Sequence, residues 1–189
     1  MNPATTLSPR DRETLLEIAR RSIRHGLEQG VALKIQADDF EQPLRAVRAS
    51  FVTLNRHNTL RGCIGHLEAV LPLVEDVAEN AFAAAFRDPR FPHLSEQEFD
   101  DLELHISVLT PAEALPCESE ADLLRRMRPY KDGLILAEGI HRGTFLPSVW
   151  EQLPEPKDFL NHLKRKAGLP DDYWSSSLRV YRYETESFS

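Results

Sequence analysis

The order in which strand-like and helix-like spacings of apolar residues follow one another is the feature that most limits how this chain can fold. Alternating residues predict a β-hairpin from two segments, 46–54 and 60–67, joined by the five residues 55–59. Helical spacing follows from Pro72, where apolar residues recur on one face and small alanines indicate close packing. Strict alternation returns at residues 102–109, which predicts a half-buried strand.

The same succession occurs again in the second half of the chain. A hairpin is predicted to turn around residues 138–143, followed by a helix over 157–168 and a closing strand over 177–184. We therefore predict two related halves, about 44–110 and 130–185, in a fold of the α/β (α+β) class. Strands from both halves are expected to join one mixed sheet covered by helices.

The length of the chain is compatible with a single core. One domain covering residues 1–189 is predicted, although this length would also permit two small subdomains. A first helix is predicted to begin near Ser8, which can cap it, with Pro9 in the first helical position. Asp11 can then reach back toward the cap.

Composition excludes several functional classes. The net charge of −7 argues against a general nucleic-acid-binding surface, which would require clustered Lys and Arg. The basic run over residues 164–166 is short, and its place near the end of a predicted helix is explained by the helix dipole. No signal peptide and no apolar run of transmembrane length are present, so a cytoplasmic protein without membrane association is predicted. The two cysteines lack CxxC spacing, and no phosphate loop, dinucleotide fingerprint or metal-ligand spacing occurs. Neither a cofactor nor a metal site is predicted.

The segment LRGCIG, residues 60–65, contains more special residues than a packing strand needs. In regular strand geometry, Arg61, Cys63 and Gly65 share one face, and a guanidinium beside a thiol favours the reactive thiolate. Gly65 would leave room there for a ligand or another backbone. The opposite face would carry Leu60, Gly62, Ile64 and His66.

A structural interpretation of the same segment remains open. Cysteine often behaves as a small buried hydrophobic residue, Arg61 could pair with an acid, and the glycines could admit a neighbouring helix. A weaker repeat of this segment, HRGTFL at residues 141–146, places Arg142 and Gly143 at the equivalent point of the second half. Arg-Gly therefore belongs partly to the repeated scaffold, and Cys63 is the stronger functional candidate.

The segment RDPRFPHL, which follows the central helix, supplies further binding candidates. Asp88 could orient an arginine or accept a proton, Arg90 could hold a carboxylate or phosphate in a forked geometry, and His93 follows closely. The alternative is that Asp88 begins a turn that a salt bridge from Arg90 stabilises. A histidine acting as base for Cys63 would be His66 or His93.

Several segments, in this order, resemble the AMMECR domain family over residues 14–184: FVTL, LRGCIGHLE, AFAAAFRDPRFPHL, ISVLTP, FLPSVWEQLP, FLNHLKRKAGLP and YRYE. The resemblance implies two related halves around a barrel-like sheet. It also implies genomic association with a radical SAM protein and a Memo-type protein. This sequence departs from the family at His105, where members often have an acidic residue, and at Ser148, where glutamine is common.

Two functional hypotheses follow. The first is an accessory or binding protein that engages a radical SAM protein and a Memo-type protein, or a small-molecule ligand, through a groove around LRGCIG and DPRF. The alternative is a cysteine-dependent enzyme in which Arg61 activates Cys63 as a nucleophile or redox thiol. Neither the reaction nor the oligomeric state follows from the sequence.

Overall fold

The strands form two antiparallel sheets of four strands each. The computed structural model describes residues 6–189 and divides into two compact units, residues 6–109 with 186–189 and residues 110–185. The elements in chain order are α1 Pro9–Gln29, β1 Ser50–Arg56, β2 Thr59–Gly65, α2 Leu73–Phe86, α3 Glu96–Phe99, β3 Leu102–Leu109, β4 Glu113–Ala114, α4 Glu120–Arg126, β5 Gly133–Glu138, β6 His141–Phe145, α5 Pro156–Lys166, β7 Arg179–Tyr183 and β8 Thr185–Phe188, with short 3₁₀ helices at Ala37–Asp39 and Pro147–Glu151.

The prediction of one mixed, barrel-like sheet was therefore wrong. In the first sheet the strand order is β2-β1-β3-β8, and in the second it is β4-β7-β5-β6. The third strand of each half pairs with the first strand of its own hairpin, so these three strands stay in one sheet. The fourth strand of the first sheet is β8, from the C-terminal end of the chain, and the fourth strand of the second is β4. Each sheet also has its own hydrophobic core, and neither closes into a barrel in residues 6–189.

The first unit buries one face of its sheet beneath two helices. Val52 and Leu54 of β1 are fully buried in a core shared with α1, α2 and β3. The predicted start of α1 is confirmed, because the Ser8 hydroxyl accepts the Asp11 N–H and the Asp11 carboxylate accepts the Ser8 N–H. No helix in the described residues is both long and apolar enough to cross a membrane.

The first hairpin is tighter than predicted. β1 and β2 are joined by His57 and Asn58 alone, rather than by the predicted five residues. Both residues adopt positive φ angles, 51° and 60°, as expected for the two-residue turn that matches strand twist. The side chains of Asn55 and Arg56 therefore belong to the β1 strand and not to a loop.

A β-bulge in β2 changes the predicted faces of the LRGCIG segment. Leu54 pairs with Gly62 and Asn55 pairs with Leu60, so Arg61 is an extra residue without an opposing partner. Leu60 consequently shares a face with Cys63, and the prediction that it lay on the opposite face was wrong. The cause is local, since an inserted residue reverses the alternation on one side of the bulge.

The second unit has an aromatic core. Trp150 stacks on Phe159 of α5 with ring centroids 3.9 Å apart, and its indole N–H donates to the backbone oxygen of Asp132 at 2.8 Å. Lys164 of α5 is fully buried, and its ammonium group donates to Glu120 at 2.7 Å and to the Asp171 carbonyl oxygen at 2.7 Å. These bonds satisfy a charge that would otherwise be costly to bury.

In both units a glycine of the second hairpin strand admits a helix. A Cβ atom on Gly62 would overlap the carbonyl oxygen of Ala84 in α2. A Cβ atom on Gly143 would lie 2.8 Å from the backbone nitrogen of Ala167, at the end of α5. The repeated Arg-Gly pair therefore marks a close approach of helix to strand in each unit, and Gly62 serves packing rather than chemistry.

Candidate functional site

Cys63 lies on β2, an edge strand of the first sheet, and two side chains occupy its outer edge. The backbone N–H of Cys63 donates to Asp88 Oδ2 at 2.9 Å. Its carbonyl oxygen accepts a hydrogen bond from Arg90 Nη2 at 3.3 Å. Asp88 and Arg90, called here the edge clamp, therefore stand where a further strand would pair.

The edge clamp is held together by a forked ion pair. Arg90 Nε lies 3.0 Å from Asp88 Oδ1, and Arg90 Nη2 lies 2.7 Å from Asp88 Oδ2. The Asp88 side chain is 1% exposed, whereas that of Arg90 is 54% exposed. Hydrogen bonds from Arg90 hold the pKa of the Asp88 carboxyl well below its usual range, although burial opposes this shift. Asp88 therefore acts as a fixed anionic acceptor at the strand edge.

Arg61 has a different partner from the one that regular strand geometry predicts. It is 9% exposed, and its Nε and Nη2 atoms lie 2.7 and 3.2 Å from the two carboxylate oxygens of Glu98 in α3. Glu98 also accepts the Ser95 N–H at 2.9 Å and so caps α3. The cation close to Cys63 is instead Arg90, which bonds to its carbonyl oxygen. The structure thus supports the alternative in which Arg61 pairs with an acid.

We expect the Arg61–Glu98 pair to make stability depend on acid pH. The Arg61 hydrogen bond lowers the pKa of Glu98 from 4.5 to about 2. A carboxylate with a lowered folded-state pKa stabilises the protein above pH 4.5, and this contribution is lost as the pH falls toward 2. The difference in unfolding free energy between wild type and Glu98→Gln should therefore narrow progressively below about pH 5.

Chemical denaturation at a series of pH values would measure this difference. Glu96→Gln is the matched control, because Glu96 belongs to the same helix but is exposed and lies 3.9 Å from Arg24. Because exposed ion pairs contribute little, this variant should stay close to wild type throughout the range. A wild-type advantage over Glu98→Gln that is equal at about pH 6 and about pH 3 would contradict the expectation.

The thiol of Cys63 is half-buried and has one hydrogen-bond partner. Thr53 Oγ1 of β1 donates to Cys63 Sγ at 3.2 Å. Thr53 pairs with Cys63 on one side and with His105 of β3 on the other, so the three residues form a row across three strands. No histidine nitrogen bonds to Sγ anywhere in residues 6–189. In the described residues, neither predicted histidine is therefore placed as a base for Cys63.

The space predicted at Gly65 is filled by the protein itself. Gly65 lies directly opposite Phe51 in the β1–β2 pair. A Cβ atom at this position would overlap the Phe51 ring and the Ser50 carbonyl oxygen. The glycine therefore accommodates an aromatic ring of the neighbouring strand, and no room for a ligand remains at this position.

His66, predicted as a possible base, is oriented by a residue that the sequence analysis missed. Its Nδ1 lies 2.9 Å from Oδ1 of Asp76 in α2. Asp76 is 1% exposed, and its Oδ2 also accepts the N–H and hydroxyl of Ser50 and the amide of Asn80. The available signal was the placement of Asp76 and Asn80 four residues apart on the apolar face of α2. Polar residues on a buried helix face indicate a hydrogen-bonded network.

His93, the last of the predicted site residues, contacts a ring and not the thiol. Its imidazole packs edge-on against Phe86, with ring centroids 6.2 Å apart at 89°. Among residues 6–189, no group of three or more His, Cys, Asp or Glu side chains is placed to hold a metal ion. The structure therefore brings Cys63, Asp88 and Arg90 together and leaves Arg61, His66 and His93 with other partners.

Together, the fold and site define a two-unit α/β protein in which a charged pair covers the free edge of a sheet at a half-buried cysteine. The AMMECR1 family profile matches residues 16–188. The chain belongs to the AMMECR1 family, which confirms the resemblance found in its sequence segments.

Relatives of known sequence match over most of their length. A protein of Methanothermobacter thermautotrophicus is 41% identical over 184 residues, which cover 96% of this chain and 95% of that protein. A protein of Thermococcus onnurineus is 38% identical over 187 residues, covering 93% and 88% of the two chains. The crystal structure of an uncharacterized protein from Pyrococcus horikoshii aligns with a TM-score of 0.82 at 37% identity, covering 93% of this chain and 89% of that one.

Proposed function

We propose that this chain is an accessory or binding protein that engages a partner through the surface around the β2 edge. The observation that carries the proposal is the edge clamp. Asp88 and Arg90 bind each other and the backbone of Cys63, so their charges hold the strand rather than meet a substrate. The clamp presents a rigid surface, and rigid surfaces bind partners with little loss of conformational freedom.

The exposed part of this surface combines apolar and charged groups. Leu60 is 39% exposed on β2 and lies on the same face as Cys63. Arg90 is 54% exposed, although its forked contact with Asp88 keeps it in place. Interfaces favour an apolar centre with an ordered arginine, because burial of apolar area and directed hydrogen bonds then act together.

The geometry supports binding over cysteine-dependent catalysis. The Thr53 hydroxyl bonds to the Cys63 thiol, but the two histidines proposed as bases are held by Asp76 and Phe86. A thiol without an adjacent base lacks one usual means of activation, and the nearby Arg90 is bonded to Asp88 and to the Cys63 carbonyl oxygen. The partners we propose are the radical SAM protein and the Memo-type protein that the family resemblance implies, since those proteins would supply the difficult chemistry.

Affinity capture with these two purified proteins would test the proposal. We expect wild-type protein to retain one or both, and Leu60→Glu to weaken retention by about tenfold through the loss of central apolar contact. Ile140→Glu is the matched control, because Ile140 is an exposed apolar residue (96%) that follows a strand of the second unit. It should bind as wild type does.

The Cys63→Ala variant separates binding from thiol chemistry in the same experiment. We expect it to fold and to retain the partners, because the edge clamp holds Cys63 through its backbone and the variant loses only the Thr53 hydrogen bond to Sγ. Loss of capture in a folded Cys63→Ala variant, with Leu60→Glu unaffected, would show that the partner contact depends on the thiol and not on the apolar surface at Leu60. Failure of wild type to retain either folded protein would overturn the proposed partners.

A further inference from the structure

A cleft of about 450 Å³ lies in the first unit where the C-terminal ends of α1 and α2 meet. The rings of Phe82 and Phe86, 5.0 Å apart, form an apolar floor together with Leu27 and Leu94. Gly26 of α1 permits this arrangement, since a Cβ atom there would lie 2.7 Å from the Phe82 ring and would overlap the Phe86 ring. The volume falls in the range of small-molecule sites.

Two basic side chains stand at the rim of this cleft. The Arg87 guanidinium lies over the Phe82 ring, 4.8 Å from its centroid, and the His93 imidazole packs edge-on against Phe86. Stacking on a ring orders a guanidinium without using its N–H donors. Arg87 forms no ion pair in the described part of the chain, whereas Arg61 and Arg90 nearby are bonded to Glu98 and Asp88.

We propose that this cleft binds a small aromatic carboxylate. The aromatic group packs against Phe86, Leu27 and Leu94, which exclude water from its faces. The carboxylate meets the fork of Arg87, which can donate two parallel hydrogen bonds, and His93 adds a further donor at the rim. Neither Cys63 nor the edge clamp lines this cleft, so the proposal does not depend on the function of the Cys63 surface.

The main alternative occupant of this cleft is a cationic ligand. Both α1 and α2 end at this cleft, and the free carbonyls at helix C-termini favour positive charge. Arg87 already places a cation at the end of α2, where it is the C-terminal capping residue. A second cation would be repelled by Arg87, so the anion is the favoured occupant.

Titration of the ¹⁵N-labelled protein with three single-ring probes would test the proposal. Phenylacetate carries the carboxylate, 2-phenylacetamide is neutral and phenethylamine is cationic. We expect phenylacetate to shift resonances of residues 26–30, 82–87 and 93–94, and to bind about tenfold more tightly than the amide. Arg87→Gln should abolish this preference, whereas Arg21→Gln, a change on an exposed arginine paired with Glu17, should preserve it.

The variants keep the result interpretable. Arg87 is exposed, so Arg87→Gln should fold, and the spectra themselves report whether it does. Equal affinity for phenylacetate and 2-phenylacetamide would overturn the proposal, as would an Arg87→Gln variant that keeps the wild-type preference. Preferential binding of phenethylamine would show that the helix ends determine the occupant. The absence of any shift at about 10 mM phenylacetate would also overturn it.

Discussion

Replacing Asp88 with alanine is expected to lower the free energy of unfolding by about 3 kcal/mol. Asp88 is buried and accepts hydrogen bonds from the backbone of Cys63, from the backbone of Arg90 and from the Arg90 guanidinium. Alanine would leave a partly buried N–H and a cation without their acceptor, and removal of one member of a buried pair costs more than the pair contributes net. Arg90 is half exposed and can turn to solvent, which limits the loss.

Urea unfolding followed by circular dichroism would measure this effect. Asp101→Ala is the matched control, since Asp101 pairs with Arg56 at 3.2 Å but the Asp101 side chain is 45% exposed to solvent, against 1% for Asp88. We expect that variant to lose no more than about 0.5 kcal/mol. Similar losses in the two variants would show that the edge clamp is an ordinary surface ion pair and would remove the main support for a rigid binding surface.

Replacing Gly62 with alanine is expected to destabilise the protein by about 3 kcal/mol, at the upper end of the cost of overpacking. The added Cβ atom would overlap the backbone oxygen of Ala84, so strand β2 and helix α2 would have to separate. A flexible side chain could move aside at low cost, but a helical carbonyl cannot. Separation would also disturb the burial of Val52 and Leu54 beneath the helix.

Two further variants make this prediction specific to the backbone contact. Gly62→Ala combined with Ala84→Gly should remain as unstable as Gly62→Ala or more so, because the overlapping oxygen is still present. Gly143→Ala should cost less, about 1–2 kcal/mol, since its nearest neighbours lie 2.8–3.0 Å away and a small shift relieves them. Rescue by Ala84→Gly would mean that the side chain of Ala84, and not the helix backbone, requires the glycine.

Several elements could be predicted because their signals are local. Ser8, Pro9 and Asp11 predict the start of α1 from three neighbouring residues, and the structure confirms the capping box that they form. Alternation over 102–109 predicts β3, and its pairing with β1 buries the expected face. The sequence is compatible with two roles for Asp88 and Arg90, a turn stabilised by their salt bridge or a binding site. The structure shows the salt bridge of the first alternative.

Other features depended on contacts between distant residues. The bulge at Arg61 arises from the register between β1 and β2, which one segment alone does not specify. Asp76 meets His66 only because α2 packs across the sheet, ten residues further along the chain. The room predicted at Gly65 disappears because Phe51 of the neighbouring strand fills it.

By itself, the sequence determined the succession of hairpins, helices and strands, the family and the residues that are chemically unusual. These follow from periodicity, caps and short motifs, which act over a few residues. Only the tertiary structure decided that the strands form two sheets, that Arg61 pairs with Glu98 and that the edge clamp holds the backbone of Cys63. The physical reason is that each strand and each charged side chain has several possible partners far away in the sequence. Packing of each hydrophobic core stabilises one of these arrangements over the others.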